Sequence, residues 1–381
     1  MNTAIHDIPF AKPEFDQAEV QAVAEVLASG WATQGPRVTR FEELFAERVG
    51  ARYAVAASSC TTALHLALVL AGVGPGDEVI VPSYTFIATA NVVLYTGATP
   101  VFADIEPDTW NLDPDDVLRR VSPRTKAVIP VHQVGLAVDL ERLKPLAARG
   151  IAIVEDAACA IGATYRGAPI GSHGNLACFS FHPRKTISTG EGGMLTTDEH
   201  AVAERARRLR SHGASVSAFS RHKTKGVVFE DYDELGFNYR MSDVQAAIGI
   251  VQMQKLDRLL EQRRAIAGRY DNAFRSLRDV QVPARPSYAG HSYQSYGLLL
   301  APGCRRQRDE LLRGLVDAGI SSRRGIPPIH LEKLYRERHR GAPLPVTEQV
   351  AAQSIFLPMY ASLSAADQDR VVDAVVGILT S

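Results

Sequence analysis

Phe179-Ser180-Phe181-His182-Pro183-Arg184-Lys185-Thr186-Ile187-Ser188-Thr189-Gly190-Glu191-Gly192-Gly193 closes one apolar, strand-like run (176–181) and leads into another (194–197). Pro183 breaks the first run, and the glycines loosen the chain before the second. One lysine, Lys185, stands between them. A lysine used as a covalent catalyst must lose its proton to attack a carbonyl, and a fenced, partly buried connection favours that loss. An exposed lysine in a tight turn would give the same local pattern. The decision therefore rests on the segments around it.

Upstream, 53–57, 78–81, 100–103, 125–131 and 151–155 read as short apolar strands without polar alternation. Helical patterns at 63–68, 85–95, 114–121 and 140–149 fall between them, after two amphipathic helices at 16–29 and 38–49. Such alternation means βαβ units and a mostly parallel sheet covered by helices. Ligands of these sheets bind beyond the carboxyl ends of the strands. Ser58-Ser59-Cys60-Thr61-Thr62, Ser83-Tyr84-Thr85-Phe86, His132, Asp156 and Lys185 all follow strand ends. The first of these is a hydroxyl-rich turn opening a helix, whose unpaired N–H groups suit a phosphate. Ordinary N-capping by Ser or Thr explains the turn equally well. Asp156 ends a buried strand, where a carboxylate is costly without a cationic partner. Glu155 points to the other face of that strand, so only one of the two can serve, and Asp156 lies further out.

After Ser242 the pattern changes. A long helix runs to about residue 276, and Pro283, Pro286 and Gly290 interrupt the chain beyond it. Strand-like segments at 293–300 and 320–326 alternate with helices at 305–318 and 365–379. The expected division is a large cofactor-binding domain, 1–245, and a smaller C-terminal α/β domain, 246–381. The Ser-, Lys- and His-bearing stretch 214–233 is expected to be a mobile or partner-facing loop.

The chain has 381 residues with 42 basic and 42 acidic side chains. No net charge draws it to nucleic acid or an anionic membrane. The richest apolar run, 64–73, is too short to span a bilayer. Cys60, Cys159, Cys178 and Cys304 are widely spaced, with no CxxC pair to suggest a metal site or a secreted disulfide framework. No signal-peptide pattern opens the chain, so a cytoplasmic setting is expected.

A phosphate-ready turn, a lysine, a buried carboxylate and an aromatic face together suit pyridoxal 5'-phosphate. The lysine holds the aldehyde, and the carboxylate keeps the ring nitrogen protonated. The aromatic side chain stacks on the ring.

These residues also carry a resemblance. The 179–185 stretch with Gly190-Glu191-Gly192-Gly193 resembles the lysine motif of the DegT/DnrJ/EryC1/StrS family of pyridoxal-phosphate aminotransferases. Val154-Glu155-Asp156-Ala157-Ala158 with Gly162-Ala163 resembles its aspartate motif. Gly30-Trp31, Thr33, Gly35-Pro36, the 58–64 and 82–86 segments and Gly236-Phe237-Asn238-Tyr239-Arg240-Met241-Ser242-Asp243 are similar to others of its motifs. The likeness runs from about residue 8 to the end.

The resemblance implies fold type I, a homodimer with shared active sites, and amino transfer to the keto carbon of a sugar, usually nucleotide-linked. It implies L-glutamate as the expected donor and pyridoxamine 5'-phosphate as the form that carries the amino group. By position, Lys185 would hold the cofactor and later move the proton, Asp156 would pair with the ring nitrogen, and Phe86 would stack on the ring. Ser59, the N–H of Cys60, Thr61 and Ser180 would hold the phosphate, with Asn238 reaching in from the neighbouring subunit. Cys159 stands where relatives often carry Gln or His near the cofactor oxygen, and a thiol is a weaker donor. Arg323 and His330 are candidate diphosphate or sugar contacts. His65 and His182 are read as structural. A dehydratase of similar sequence would replace the lysine with histidine, and Lys185 is present. Amination of a cyclitol or aromatic-precursor ketone, or a non-catalytic cofactor-binding sensor, remain the alternatives.

Overall fold

The computed structural model describes residues 6–216, 229–339 and 342–380. Its centre is a seven-stranded sheet made by β1 (Tyr53–Ala57), β2 (Glu78–Pro82), β3 (Thr99–Ala103), β4 (Thr125–Val128), β5 (Ala152–Asp156), β8 (Leu176–Ser180) and β9 (Gly193–Thr197). The order is β1-β9-β8-β5-β4-β2-β3. Only β9 runs against its neighbours. Most of these strands are buried along nearly their whole length because both faces are covered, as expected for a sheet built from crossovers. On one face Phe41 and Phe45 of α2 (Pro36–Val49) pack on Phe179 and Phe181. On the other, α3 (Cys60–Leu70) and α4 (Ala88–Tyr95) bury Leu64, Leu68, Val92 and Val93.

Around this layer lie α1 (Gln17–Ala28), α5 (Pro114–Arg120), the short α6 (Lys144–Ala147) and α7 (His200–Leu209). β6 (Thr164–Tyr165) and β7 (Ala168–Pro169) form a small ribbon after β5. The 32-residue α8 (Asp243–Phe274) then crosses to a second sheet. That sheet contains β10 (Val280–Gln281), β12 (Tyr296–Leu300), β13 (Arg323–Arg324) and β14 (Ser354–Leu357), in the order β10-β12-β14-β13. β11 (Ala289–Gly290) instead joins β6. The remaining α-helices among the described residues are α9 (Arg308–Asp317), α10 (Lys333–Arg336), α11 (Pro345–Gln353) and α12 (Ala365–Thr380).

The expected boundary after residue 245 falls in the first turn of α8. Ile8 pairs with Ile320 of the C-terminal part, so the N-terminal segment also crosses between the two sheets. Several expected limits move. β4 stops at Val128 because Pro130 lies just beyond it, and Val131 only bridges Asp156. The helix expected from 85 begins at Ala88, leaving 83–87 irregular. The 320–326 strand shrinks to Arg323–Arg324. Of the expected loop at 214–233, residues 217–228 lie outside the described residues; its flanks are tied by a Ser215 N–H to Asp231 carbonyl bond of 3.0 Å.

Candidate active site

β1, β2, β5 and β8 all end at the same edge of the large sheet, so residues distant in sequence converge there. After β1 the chain turns straight into α3. Ser59 caps that helix: its hydroxyl accepts the Thr62 N–H at 3.1 Å while the Thr62 hydroxyl takes the Ser59 N–H at 3.0 Å. Capping is thus what the Ser59 side chain does. The N–H groups of Cys60 and Thr61, the first two of α3, have no acceptor among the described residues. They point their donors and the positive helix end out of the turn.

The turn can lie this low because Gly193, which begins β9, has no side chain. A Cβ there would stand 2.5 Å from the Cys60 nitrogen. The Cys60 thiol turns inward, 3.5 Å from the Cys178 carbonyl. Burial, reinforced by Asp156, pushes that thiol well above its ordinary value, so Cys60 offers its backbone rather than a thiolate.

β8 ends at Ser180, half-buried, whose hydroxyl accepts the His182 N–H at 3.4 Å. The chain then makes a tight turn, closed by Lys185 N–H to the His182 carbonyl at 2.8 Å. The Arg184 N–H donates to His182 Nδ1 at 3.2 Å, so His182 shapes the turn. Gln294 Nε2 holds the Arg184 carbonyl at 2.8 Å from the outside. Lys185 Nζ lies 3.1 Å from Cys159 Sγ.

The charge on Lys185 departs from the expectation that burial would free its proton. Burial does act in that direction and is the largest single influence. Cys159 and Asp156 outweigh it, and the ammonium is held above its ordinary value.

Asp156 closes β5 and is buried. Its Oδ2 accepts the Thr89 hydroxyl at 2.8 Å and its Oδ1 the Ala158 N–H at 3.1 Å. Both donors are neutral, so a cationic partner still has a place. Glu155 faces the other way and bonds His132 Nε2 at 2.8 Å and Asn175 at 2.7 Å. The Val138 N–H occupies His132 Nδ1 at 3.1 Å. Burial opposes the charge on Glu155, but His132 and Asn175 outweigh it and hold the carboxyl below its ordinary value. His132, expected among the strand-end functional groups, is therefore the buried partner of Glu155 and not part of the site.

Phe86 lies beyond β2 on the irregular 83–87 segment and is 69% exposed, a large apolar face with nothing upon it. Asn238 is also exposed; the next residue's carbonyl, on Tyr239, accepts the Ser58 N–H at 2.8 Å, so Asn238 sits beside the phosphate-ready turn. His65 bonds the Tyr239 hydroxyl at 3.0 Å, a structural role as expected.

The two candidate substrate contacts both come from the C-terminal part of the chain. His330 is 3% exposed, with Nδ1 2.7 Å from the Ser83 hydroxyl and Nε2 3.3 Å from Glu348. Both ring nitrogens are used, and the imidazole clamps the end of β2 to the C-terminal part. Arg323 is exposed on β13, with its guanidinium 5.7 Å from the Phe10 ring.

Sequence reading missed Thr89 and Gln294, and took Thr85 only as part of the strand-end segment 83–86. Thr89 lay inside what read as an ordinary helix, and Gln294 is 109 positions from Lys185. Only the hydroxyl spacing at 85 and 89, one helical turn, hinted at a pair.

The donor set fits pyridoxal phosphate: free N–H groups over a side-chain-free floor for an anion, a buried carboxylate lacking a cation, an amine and an exposed phenyl ring. No cluster of metal-ligating side chains exists among the described residues. No described helix is long and apolar enough to cross a membrane.

The model of the DegT/DnrJ/EryC1/StrS aminotransferase family matches residues 13–376. The spore coat polysaccharide biosynthesis protein SpsC of Bacillus subtilis (strain 168) is 40% identical over 379 residues, covering 98% of this chain and 97% of its own. Among solved structures, the sugar aminotransferase CalS13 from Micromonospora echinospora superposes with a TM-score of 0.89 at 30% identity, over 97% of this chain and 99% of that one. Spr1654 from Streptococcus pneumoniae, in its PMP form, superposes with a TM-score of 0.91 at 30% identity, over 98% and 99%.

Proposed function

The chain belongs to the DegT/DnrJ/EryC1/StrS aminotransferase family, and we propose that it moves an amino group from an amino acid, L-glutamate being the expected donor, to the keto carbon of a nucleotide-linked sugar. It is a pyridoxal-phosphate-dependent aminotransferase of fold type I. The observation that carries the reading is the meeting of Lys185 and Asp156 beside the free N–H groups of Cys60 and Thr61. Two similar proteins support a sugar as acceptor: one is named for polysaccharide biosynthesis and one as a sugar aminotransferase.

Pyridoxal phosphate, when bound, supplies an aldehyde for the amine and a ring that withdraws electrons from the carbon being deprotonated. The rest falls to the chain. The N–H groups of Cys60 and Thr61, with Ser180, bind and orient the phosphate. Asp156 holds the proton of the ring nitrogen. Phe86 covers one face and excludes water. Lys185 would hold the cofactor, then take a proton at Nζ from the amino-acid carbon and give it back to the carbon two atoms away, on the far side of the shared nitrogen. Asn238 joins the phosphate group from the partner of a homodimer.

The test is the absorbance of the purified protein with pyridoxal phosphate, before and after L-glutamate, beside Lys185→Ala. The wild type should show a visible band that glutamate bleaches, and the variant no lysine-dependent band. The glutamate-treated protein is then offered keto-sugars and cyclitol ketones, and return of the band marks the acceptor. A band indifferent to glutamate, aspartate, glutamine and alanine would favour a sensor. Return of the band with cyclitols alone would replace the sugar.

A further inference from the structure

Asp156 is gripped by a chain of hydroxyls. Thr89 Oγ1 lies 2.8 Å from Asp156 Oδ2 and 3.1 Å from Thr85 Oγ1. All three residues are buried, Thr89 to 1% exposure. A threonine hydroxyl has one proton, and a carboxylate only accepts. The Thr89 proton therefore goes to Asp156, and the Thr89 oxygen must accept from Thr85. The direction is set: Thr85 to Thr89 to Asp156.

The second carboxylate oxygen receives the Ala158 N–H. The main chain is fixed as well, with Asp156 N–H to the Pro130 carbonyl at 2.9 Å and His132 N–H to the Asp156 carbonyl at 3.1 Å. With both ends of the residue held, the orientation of the carboxylate depends on which donors meet its oxygens. A threonine at a helix start usually serves the backbone. This one spends its proton on a carboxylate 67 positions away. Its own N–H donates to the Phe86 carbonyl at 3.1 Å, so the turn that presents the phenyl ring also presents the hydroxyl.

We propose that Thr89, oriented by Thr85, is a positioning residue that aims Asp156 at the ring nitrogen of pyridoxal phosphate and keeps that nitrogen protonated. The inference rests on the reading of the site given above. Two neutral donors steer the carboxylate without neutralising it, which leaves its charge for the ring.

The test uses the full chain as wild type, Thr89→Val, Thr89→Ser and Thr85→Val, loaded with pyridoxal phosphate isotopically labelled at the ring nitrogen. Three quantities are read: the magnetic-resonance shift of that nitrogen, the cofactor dissociation constant by equilibrium dialysis, and the thermal midpoint of the unloaded protein. Valine keeps the shape of threonine and removes the hydroxyl. In Thr89→Val the nitrogen signal should move toward the unprotonated position, and affinity should fall roughly tenfold to a hundredfold, the worth of a hydrogen bond to a charged group. Serine at 89 should restore both. Thr85→Val should shift them the same way by less, and carries the test should Thr89→Val not fold. Wild-type shift and affinity in both valine variants would overturn the proposal, as would a loss that tracks the thermal midpoint and is not rescued by serine. A wild type that takes up no pyridoxal phosphate would instead sink the site reading beneath it, a result distinct from a loaded enzyme indifferent to Thr89.

Discussion

Lys185 sits between opposed influences. Burial disfavours its ammonium, while the Cys159 sulfur 3.1 Å away and the carboxylate of Asp156 favour it, and the latter prevail. In the cofactor-free chain the neutral amine is therefore scarcer than for an ordinary lysine. Attachment of pyridoxal phosphate needs that amine, so its rate should climb as pH rises toward the held-up value. Cys159→Ala removes the nearest influence that holds the proton, and the pH–rate profile, tracked by stopped-flow absorbance, should move to lower pH. An unmoved profile would mean that the sulfur does not set the charge. The same shift has a sign for stability: a raised lysine value adds stability that is present at lower pH and lost as pH rises through it. Gly193 offers a steric test at the same scale. Its absent Cβ is what lets the Ser59–Cys60 turn lie on β9. Gly193→Ala should cost about 1–3 kcal/mol of unfolding free energy, as overpacking does, and should loosen cofactor retention more than a substitution at Gly74, where a Cβ meets open space. Equal retention in the two variants would remove the turn from the phosphate site.

At the scale of elements, α2 depends on a residue far along the chain. Asp243, the first residue of α8, accepts the N–H groups of Gly35, Arg37 and Val38 at 2.8, 3.2 and 3.0 Å. Gly35 itself has no side chain to cap the helix. Asp243→Ala should cost about 1–2 kcal/mol, the range for losing a cap, read as a lower urea midpoint with unchanged slope. A loss within experimental error would mean that water replaces the carboxylate. Such a long-range cap also explains what could be read from the chain and what could not. The βαβ rhythm was legible because a fully covered strand leaves a continuous apolar run, and the lysine and aspartate motifs were legible because strand ends punctuate those runs. β14 was not: Ser354-Ile355-Phe356-Leu357 is four residues between α11 and Pro358, too short for a period. α7 has a charged outer face and escaped because its buried face is made mostly of small residues, Ala203 and Ala206, with Leu209 at its end. That His330 meets Ser83 and Glu348 could not be read either, because both partners are distant in sequence. Thr89 escaped for the same reason: its partner becomes a neighbour only when β5 is placed two strands from β2.

For the whole molecule the proposal with the sharpest consequence is that Asn238 serves the partner's site. Within one chain the Tyr239 carbonyl receives the Ser58 N–H, so Asn238 lies near its own phosphate-ready turn, yet it is exposed. Gly236 lets the backbone cross against Gly213, where a Cβ would strike the His212–Gly213 peptide, and this crossing carries the segment to the surface. Phe229, Tyr232 and Leu235 on the same segment are exposed large side chains, as are Phe86 and Tyr95. A second copy of the chain would cover such a surface, which motivates the proposed homodimer. The two arrangements separate cleanly in mixed dimers of Lys185→Ala and Asn238→Ala chains. Each homodimer should be impaired, the first by loss of the amine and the second by weaker phosphate binding. If Asn238 crosses to the partner, one site of the mixed dimer carries both lesions and the other carries none. Co-expressed, doubly tagged dimers should then regain about half of the wild-type activity per dimer, and one cofactor should be held at wild-type affinity. If Asn238 serves its own chain, each site keeps one lesion, and mixing restores nothing. Sedimentation at falling concentration must accompany the assay, since a monomer could show neither pattern and would end the shared-site reading outright.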